Sequence, residues 1–227
     1  MWCIPPECDA EFVCAMEQVL AVYKRPYDPQ RPVVCFDEKS KQLVGETARP
    51  MPATPGPAGH VERCDYEYVR NGTANLFMMV EPLRGWRKVN VTTRRTKLDF
   101  AAQMKQLVDV HYPRATMITV VMDNLNTHRL SCLYAAFDPA EARRLIEKLE
   151  IVHTPKHGSW LNMAECELSV LEKQALGDRI GDEVELRTRV HLWNDDRDAR
   201  SCTIDWQFTT ADARIKLRRL YPQITMS

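Results

Sequence analysis

The spacing of hydrophobic residues along the chain changes between the period of a helix and that of a strand. Residues 9–23 carry apolar side chains at helical spacing behind Asp9, which predicts a helix capped by that aspartate. A short β-branched run at 33–36 predicts a strand that ends at Asp37. A second run, 116–122, predicts a buried strand that ends at Asp123.

Three more strands and a helix are predicted between these two runs. The strands are expected at 64–69, 74–82 and 86–92. Two dipeptides, Asn71-Gly72 and Arg84-Gly85, have the composition of turns between them. The proline- and glycine-rich stretch 46–60 predicts a loop, and the amphipathic stretch 96–112 predicts a helix.

The second half of the chain predicts three helices and one strand. Helical patterns cover 130–137 and 139–149, the second opened by Pro139, and 150–155 has the pattern of a short strand. A longer helix is expected over 159–176 with Ser159 as its cap. The order β, βββ, α, β, α, α, β, α predicts an α/β fold in which helices flank a mixed sheet.

Composition limits the classes of protein that need to be considered. With 227 residues, of which 44% are hydrophobic, the chain has the size of one large domain or of one domain with an appendage. It carries 31 basic and 31 acidic side chains, so any case for nucleic acid depends on local clusters. Residues 84–97 hold six basic side chains and no acid, and residues 213–227 hold four. Either cluster could follow a phosphate backbone or be a solvated face.

Eight cysteines raise the question of a metal or disulfide framework. They are Cys3, Cys8, Cys14, Cys35, Cys64, Cys132, Cys166 and Cys202. No two are spaced as Cys-x-x-Cys, and several lie in apolar runs, so we expect reduced thiols. No apolar run reaches the length of a membrane span and no secretory signal starts the chain, so we expect a cytoplasmic protein.

Three acidic residues, Asp37, Asp123 and Glu165, are the first candidates for chemistry. A lone carboxylate at a strand end is usually a turn former or a cap. Carboxylates carried by several elements of one core can instead converge and supply the oxygen ligands that a hard cation needs. Their spacing alone does not decide between these interpretations.

The residues around the three acids resemble a known family. The segments "CFDEKS", "VVMDNLNTH" and "HTPKHGSWLNMAECELSVL" are similar to the catalytic core of DDE transposases, and most of all to the bacterial insertion-sequence 630 family, which is related to mariner elements. The resemblance implies an RNase H-like, retroviral-integrase-type fold with a mixed five-stranded sheet flanked by helices. It also implies that Asp37, Asp123 and Glu165 are both the catalytic residues and the ligands of Mg²⁺, with Mn²⁺ as a possible substitute. Glu167 lies about 200° from Glu165 around a helix and is expected to be solvated or structural.

Four further residues near the acids are expected to bind DNA or to support the site. They are Asn124, His128, Lys156 and Asn162. His128 could orient a water or a phosphate, or be a loop histidine bonded locally, and Asn124 could act in the site or hold a turn. Lys156 precedes a helix whose N-terminus attracts phosphate. Asn162 could position substrate or brace Glu165.

The resemblance implies a DNA transposase that cleaves strands and transfers them during transposition of an insertion sequence. Its partners would be transposon ends, target DNA, and a second copy of the chain or a full-length transposase, in the nucleoid and away from membranes. We predict a helical segment at 1–30, a catalytic domain at 31–180 and a helical, basic tail at 181–227. Since 1–30 is too short for a helix-turn-helix domain, we expect a catalytic portion. The alternative is a non-catalytic remnant that binds and modulates a full-length transposase.

Overall fold

A mixed five-stranded sheet forms the centre of the molecule. The computed structural model describes residues 7–47, 53–54, 56, 67–125 and 128–222. The strands are β1 (Val33–Glu46), β2 (Tyr68–Glu81), β3 (Trp86–Thr92), β4 (Ile118–Met122) and β5 (Leu149–His153). Their order in the sheet is β3-β2-β1-β4-β5. β1, β2 and β3 pair antiparallel, whereas β4 runs parallel to both β1 and β5.

Helices cover both faces of this sheet, as the order of elements predicts. They are α1 (Ala10–Tyr23), α2 (Lys97–Gln106), α3 (Ser131–Ala136), α4 (Pro139–Glu147), α5 (Met163–Ala175), α6 (Glu183–Ala199) and α7 (Thr210–Lys216). A π-helical turn, Leu107–His111, extends α2, and short 3-10 turns cover Ser159–Leu161 and Arg218–Leu220. None of the described helices is long and apolar enough to cross a membrane.

Two hydrophobic clusters fill the space between the sheet and its helices. Because side chains alternate along a strand, Cys35 and Phe36 of β1 enter opposite clusters. Cys35 faces the cluster that includes residues of α1, α5, α6 and α7. Phe36 faces the cluster that includes residues of α2, α3 and α4. The sheet is therefore buried on both sides, which fixes the positions of the side chains that follow along β1.

The helix starts follow capping chemistry, with one correction. The Asp9 side chain accepts from the Phe12 N–H at 2.9 Å, so the cap predicted for α1 is confirmed. The prediction that Ser159 caps the long helix is wrong. Ser159 begins a 3-10 turn, and α5 is capped by Asn162, whose side chain accepts from the Ala164 N–H at 3.1 Å. The reason is that Asn162 has the extended backbone of a cap residue and an amide oxygen that reaches the first turn.

β1 is longer than predicted, so Asp37 does not end its strand. The strand continues to Glu46 because residues 38–46 pair with 68–77 of β2. The prediction of a turn at Asn71-Gly72 is also wrong. Gly72 has a φ of +104° and lies at a bulge within β2, where the pairing with β1 shifts between Gln42 and Val44.

The turn predicted at Arg84-Gly85 is confirmed. It joins β2 to β3, and Gly85 has a φ of +72°, a conformation that glycine adopts without steric cost. Most of the loop predicted at 46–60 and the start of the strand predicted at 64–69 lie outside the described residues. The remaining predicted helices and strands are present, with ends that differ by a few residues.

Candidate active site

Asp37 lies in the middle of β1 with only 9% of its surface exposed. Its Oδ1 accepts from the Glu38 N–H at 2.7 Å. The Asn162 side chain donates to the Phe36 carbonyl at 2.8 Å and lies 3.4 Å from Asp37 Oδ2. Asn162 therefore joins the start of α5 to the strand that carries Asp37. The side chain of Asn162 was expected to position substrate or to brace Glu165; its hydrogen bonds instead brace the Asp37 strand and the first turn of α5.

Asp123 follows β4, the strand next to β1. The last paired residues of these parallel strands are Cys35 and Val121, and each aspartate lies two positions further along. Since neighbouring strands are about 4.8 Å apart, the sheet brings the two aspartates side by side. On the other side, the His153 ring of β5 lies 3.2 Å from the Asp123 carbonyl.

Glu165 lies in the first turn of α5, where the helix dipole favours a negative charge. With Asp37 it lines a cleft of about 260 Å³, together with Glu38, Lys39, Leu168 and Ser169. The bond from Asn162 to β1 sets the position of the start of this helix. Asp37 and Glu165 thus share one cleft, whereas Asp123, after the neighbouring strand, lines a second cleft.

The charges of the other acids act on Asp37. Burial, together with the negative charges of Asp123, Glu165 and Glu38, raises the pKa of Asp37 from 3.8 to about 7, against the lowering effect of the hydrogen bond from the Glu38 N–H. Asp37 is thus surrounded by like charges, and Lys39, the cation that lines the same cleft, lies 3.2 Å from Glu172. This is the electrostatic setting of a cation site or of a shared proton.

His128 is buried between two carboxylates. Its Nδ1 lies 2.5 Å from Asp123 Oδ1, and its Nε2 lies 2.6 Å from Glu38 Oε2. Burial alone would lower the pKa of His128, but Asp123 and Glu38 together raise it to about 10, so the ring is an imidazolium at neutral pH. The ring packs on Phe36 and Phe100. His128 thus holds Asp123 and is not a loop histidine with only local bonds.

Glu38 is the residue of this site that the sequence reasoning missed. Its side chain is 1% exposed and faces His128 on the opposite side of β1 from Asp37. The signal was present in "CFDEKS", where the glutamate directly follows the first aspartate. Because strand neighbours face opposite sides, the pattern alone gave no reason to assign both acids to one site.

A second cleft adjoins Asp123 and contains two of the expected supporting residues. Asn124 and Lys156 line it with Asp123 and His157, and its volume is about 320 Å³. Both Asn124 and Lys156 are exposed. His157 has a φ of +64°, which is uncommon for a residue with a side chain. The loop 154–158 therefore presents a lysine beside Asp123.

Glu167 is buried and structural, and the solvated alternative is wrong. It is 2% exposed, and its Oε2 lies 2.9 Å from Nε of the fully buried Arg87. Its Oε1 accepts from Arg197 Nη2 at 2.6 Å. This ion pair joins α5 to β3 and α6. It therefore stabilises the packing of α5 on the sheet.

The described residues contain no group of three or more His, Cys, Asp and Glu side chains that is already arranged to hold a metal ion. Asp123 directs Oδ1 at His128, on the face of the sheet opposite to α5. The donor chemistry nevertheless fits Mg²⁺, which prefers carboxylate oxygens. The raised pKa of Asp37 also shows charge repulsion that a cation would offset.

The sheet order and the helices on both faces give the chain an RNase H-like fold. The chain belongs to the DDE superfamily endonucleases, whose family model matches residues 32–187. No curated protein matches the chain significantly.

Solved structures of the Mos1 mariner transposase share the fold. A Mos1 paired end complex with Mg superposes with a TM-score of 0.58 at 15% identity, over 97% of this chain and 66% of that one. The Mos1 paired end complex with Mn has a TM-score of 0.56 at 14% identity, over 88% of this chain and 61% of that one. The Mos1 strand transfer complex has a TM-score of 0.55 at 15% identity, over 85% of this chain and 56% of that one. The chain therefore spans less than two thirds of the length of these relatives.

Proposed function

We propose that this protein is the catalytic portion of a DNA transposase of the insertion-sequence 630 family. It would cleave DNA strands at the ends of an insertion sequence and join them to target DNA. The observation that carries the proposal is the placement of Asp37 and Asp123 on adjacent parallel strands of a DDE endonuclease domain, with Glu165 lining the cleft at Asp37. The similar Mos1 structures, a strand transfer complex and a paired end complex, support the same proposal.

Asp37, Asp123 and Glu165 are the residues that would hold the metal ions. Bound Mg²⁺ would supply Lewis-acid stabilisation of the charge on a phosphodiester undergoing displacement. The Mos1 paired end complexes with Mg and with Mn favour Mg²⁺ here, with Mn²⁺ as a substitute.

The other residues of the site have separate roles in this proposal. Asn162 holds the Asp37 strand against α5, and His128 holds one oxygen of Asp123. Lys156 would contact a phosphate of the DNA entering the cleft beside Asp123, because it is exposed at that cleft and carries a positive charge. Asn124 lines the same cleft and would donate to the same strand.

The test is strand cleavage by the parent and by Asp123→Asn, which keeps the shape of the side chain and removes its charge. The DNA would carry the ends of the insertion sequence already paired, with a DNA-binding partner added in trans. We expect cleavage in Mg²⁺ or Mn²⁺ and none with chelator. We expect none above background for Asp123→Asn, assayed at a temperature at which circular dichroism shows the variant folded, because it also loses the charged partner of His128. The matched control is Asp195→Asn, because Asp195 is an exposed aspartate on α6.

Two outcomes would contradict this proposal. Cleavage by Asp123→Asn at the parental rate, or cleavage that persists in chelator, would exclude the metal-dependent mechanism. A parent that never cleaves, with any metal and any partner, would favour the alternative of a non-catalytic chain that binds and modulates a full-length transposase.

A further inference from the structure

The basic stretch 84–97 is not one surface in the folded protein. Arg87 is fully buried against Glu167, and Arg84 lies 3.8 Å from Glu81. The last part of the stretch, residues 93–97, runs from the end of β3 to the first residue of α2 and is exposed. We call residues 93–97 the β3–α2 loop. It carries Arg94, Arg95 and Lys97 and no acid.

The β3–α2 loop is held in place by its own hydrogen bonds. The Thr92 hydroxyl donates to the Arg94 carbonyl at 2.6 Å, and the Asn75 side chain donates to the Thr93 carbonyl at 3.4 Å. Thr96 caps α2 in a reciprocal capping box with Asp99, and this engages the Asp99 carboxylate with the backbone. The loop therefore presents its cations from a fixed backbone.

The position of this loop relative to the acids follows from the register of the sheet. Thr92 is paired with Asn75, and Asn75 with Ser40, which lies three residues beyond Asp37 on β1. The start of the loop is therefore three residues along the strand direction and two strands across the sheet from Asp37, which corresponds to a distance of roughly 14 Å. One strand of B-DNA covers that distance in about four nucleotides. Arg95 reaches back further, since its Nη1 lies 3.8 Å from Glu38 Oε1.

We infer that the β3–α2 loop binds the phosphate backbone of duplex DNA a few nucleotides from the scissile phosphate. This inference rests on the proposed function. The contact is independent of base sequence, because guanidinium and ammonium groups on a loop recognise phosphate and not base edges. Among the described residues Arg94 and Lys97 form no ion pair, so their charges face solvent. Arg95 links the bound backbone to Glu38, and through Glu38 to His128.

The C-terminal basic cluster is the competing surface, and the structure reduces its available charge. Arg214 is paired with both oxygens of Glu17, at 2.9 Å each. Lys216 lies over the ring of Phe208 at 5.7 Å. Arg218 and Arg219 are exposed and remain available. These two arginines therefore form a matched control, because their replacement removes the same number of exposed charges as replacement of Arg94 and Lys97.

The experiment measures the affinity of the full chain for a random-sequence duplex of about 25 base pairs, by fluorescence anisotropy from 50 to 200 mM KCl. Each lost phosphate contact lowers the slope of log K against log salt by about 0.9. Arg94→Gln with Lys97→Gln should therefore reduce the slope by about 1.8, with equal effect on any duplex sequence. Arg218→Gln with Arg219→Gln should leave the slope within about 0.5 of the parent.

The outcomes separate the two proposals. If the parent binds with a steep slope and the β3–α2 loop variant keeps that slope, the loop does not contact the backbone, although the proposed function stands. If only the Arg218 and Arg219 variant loses slope, the C-terminal cluster is the DNA surface and this inference is overturned. A parent without salt-dependent affinity for DNA contradicts the proposed function itself. Circular dichroism of each variant checks that the exposed replacements leave the fold intact.

Discussion

Replacement of Glu167 by glutamine should destabilise the protein strongly, although the residue is two positions from a catalytic candidate. Glu167 is 2% exposed and forms an ion pair with the fully buried Arg87. Breaking a buried pair by removing one partner costs about 3–5 kcal/mol, because the remaining charge stays buried without compensation. Glutamine keeps one acceptor, and Asp198 lies 3.7 Å from Arg87, so we expect the lower end, about 3 kcal/mol.

This loss is a large part of the free energy of unfolding of a typical domain, which is about 5–15 kcal/mol. For a chain of this size it corresponds to a melting temperature lower by about 6–12 °C. The assay is thermal unfolding followed by circular dichroism, together with urea unfolding at 20 °C. At that temperature the Glu167→Gln protein that remains folded should still cleave DNA.

Glu165→Gln is the matched control, since it makes the same chemical change two residues earlier on α5. It removes a charge that repels Asp37 and loses a helix-dipole interaction of about 0.3–1 kcal/mol, so its stability should stay within about 1 kcal/mol of the parent. Its cleavage should be lost. A third variant, Arg87→Met with Glu167→Leu, should recover most of the stability. A Glu167→Gln protein that melts within about 2 °C of the parent would refute the reasoning, as would a double variant no more stable than the single one.

Two further predictions concern the charges of the site. The native state raises the pKa of Asp37 to about 7 and so favours its protonated form; the resulting stabilisation is present below about pH 4 and is lost as the pH rises through 7. Between pH 4 and pH 8 the free energy of unfolding of the parent, measured in urea with chelator, should therefore fall by about 4 kcal/mol relative to that of Asp37→Asn. A difference between the two proteins that stays constant with pH would contradict this prediction. Glu38→Gln should lower the pKa of His128 from about 10, because one of its two carboxylate partners becomes neutral. Side-chain NMR titration of His128 measures this pKa. An unchanged pKa would contradict the prediction and show that the pair with Asp123 is sufficient.

The hydrophobic pattern was sufficient to predict the sheet and most helices, because buried strands and amphipathic helices leave periodic signals. It failed where a local signal had two meanings. Asn71-Gly72 has turn composition, but in the structure Gly72 lies at a bulge within a continuous strand. Asp37 was expected at a strand end, since the apolar run stops there, but the polar residues after it pair along β2. Pairing is a property of two strands and is not encoded in either alone.

The candidate site was predictable in its members and not in its contacts. The resemblance to DDE transposases selected Asp37, Asp123 and Glu165; in the structure Asp37 and Asp123 lie on adjacent strands, and Glu165 shares a cleft with Asp37. The ion pair of His128 with Glu38 could not be predicted, because the two residues are 90 positions apart and on different elements. The same holds for Glu167 and Arg87. Partner choice over such separations depends on how helices pack on the sheet.

The topology of the sheet also determines when the site can form during synthesis. β1, β2 and β3 are consecutive antiparallel strands, so they can pair as soon as they are made. Asp37 is carried by this early unit, whereas Asp123 joins it only when β4 pairs with β1 across more than 80 residues of chain. Glu165 arrives last, with α5. During synthesis the three carboxylates, which repel one another, therefore stay apart until α5 has been translated. The free-energy cost of their repulsion arises only when α5 packs against the sheet.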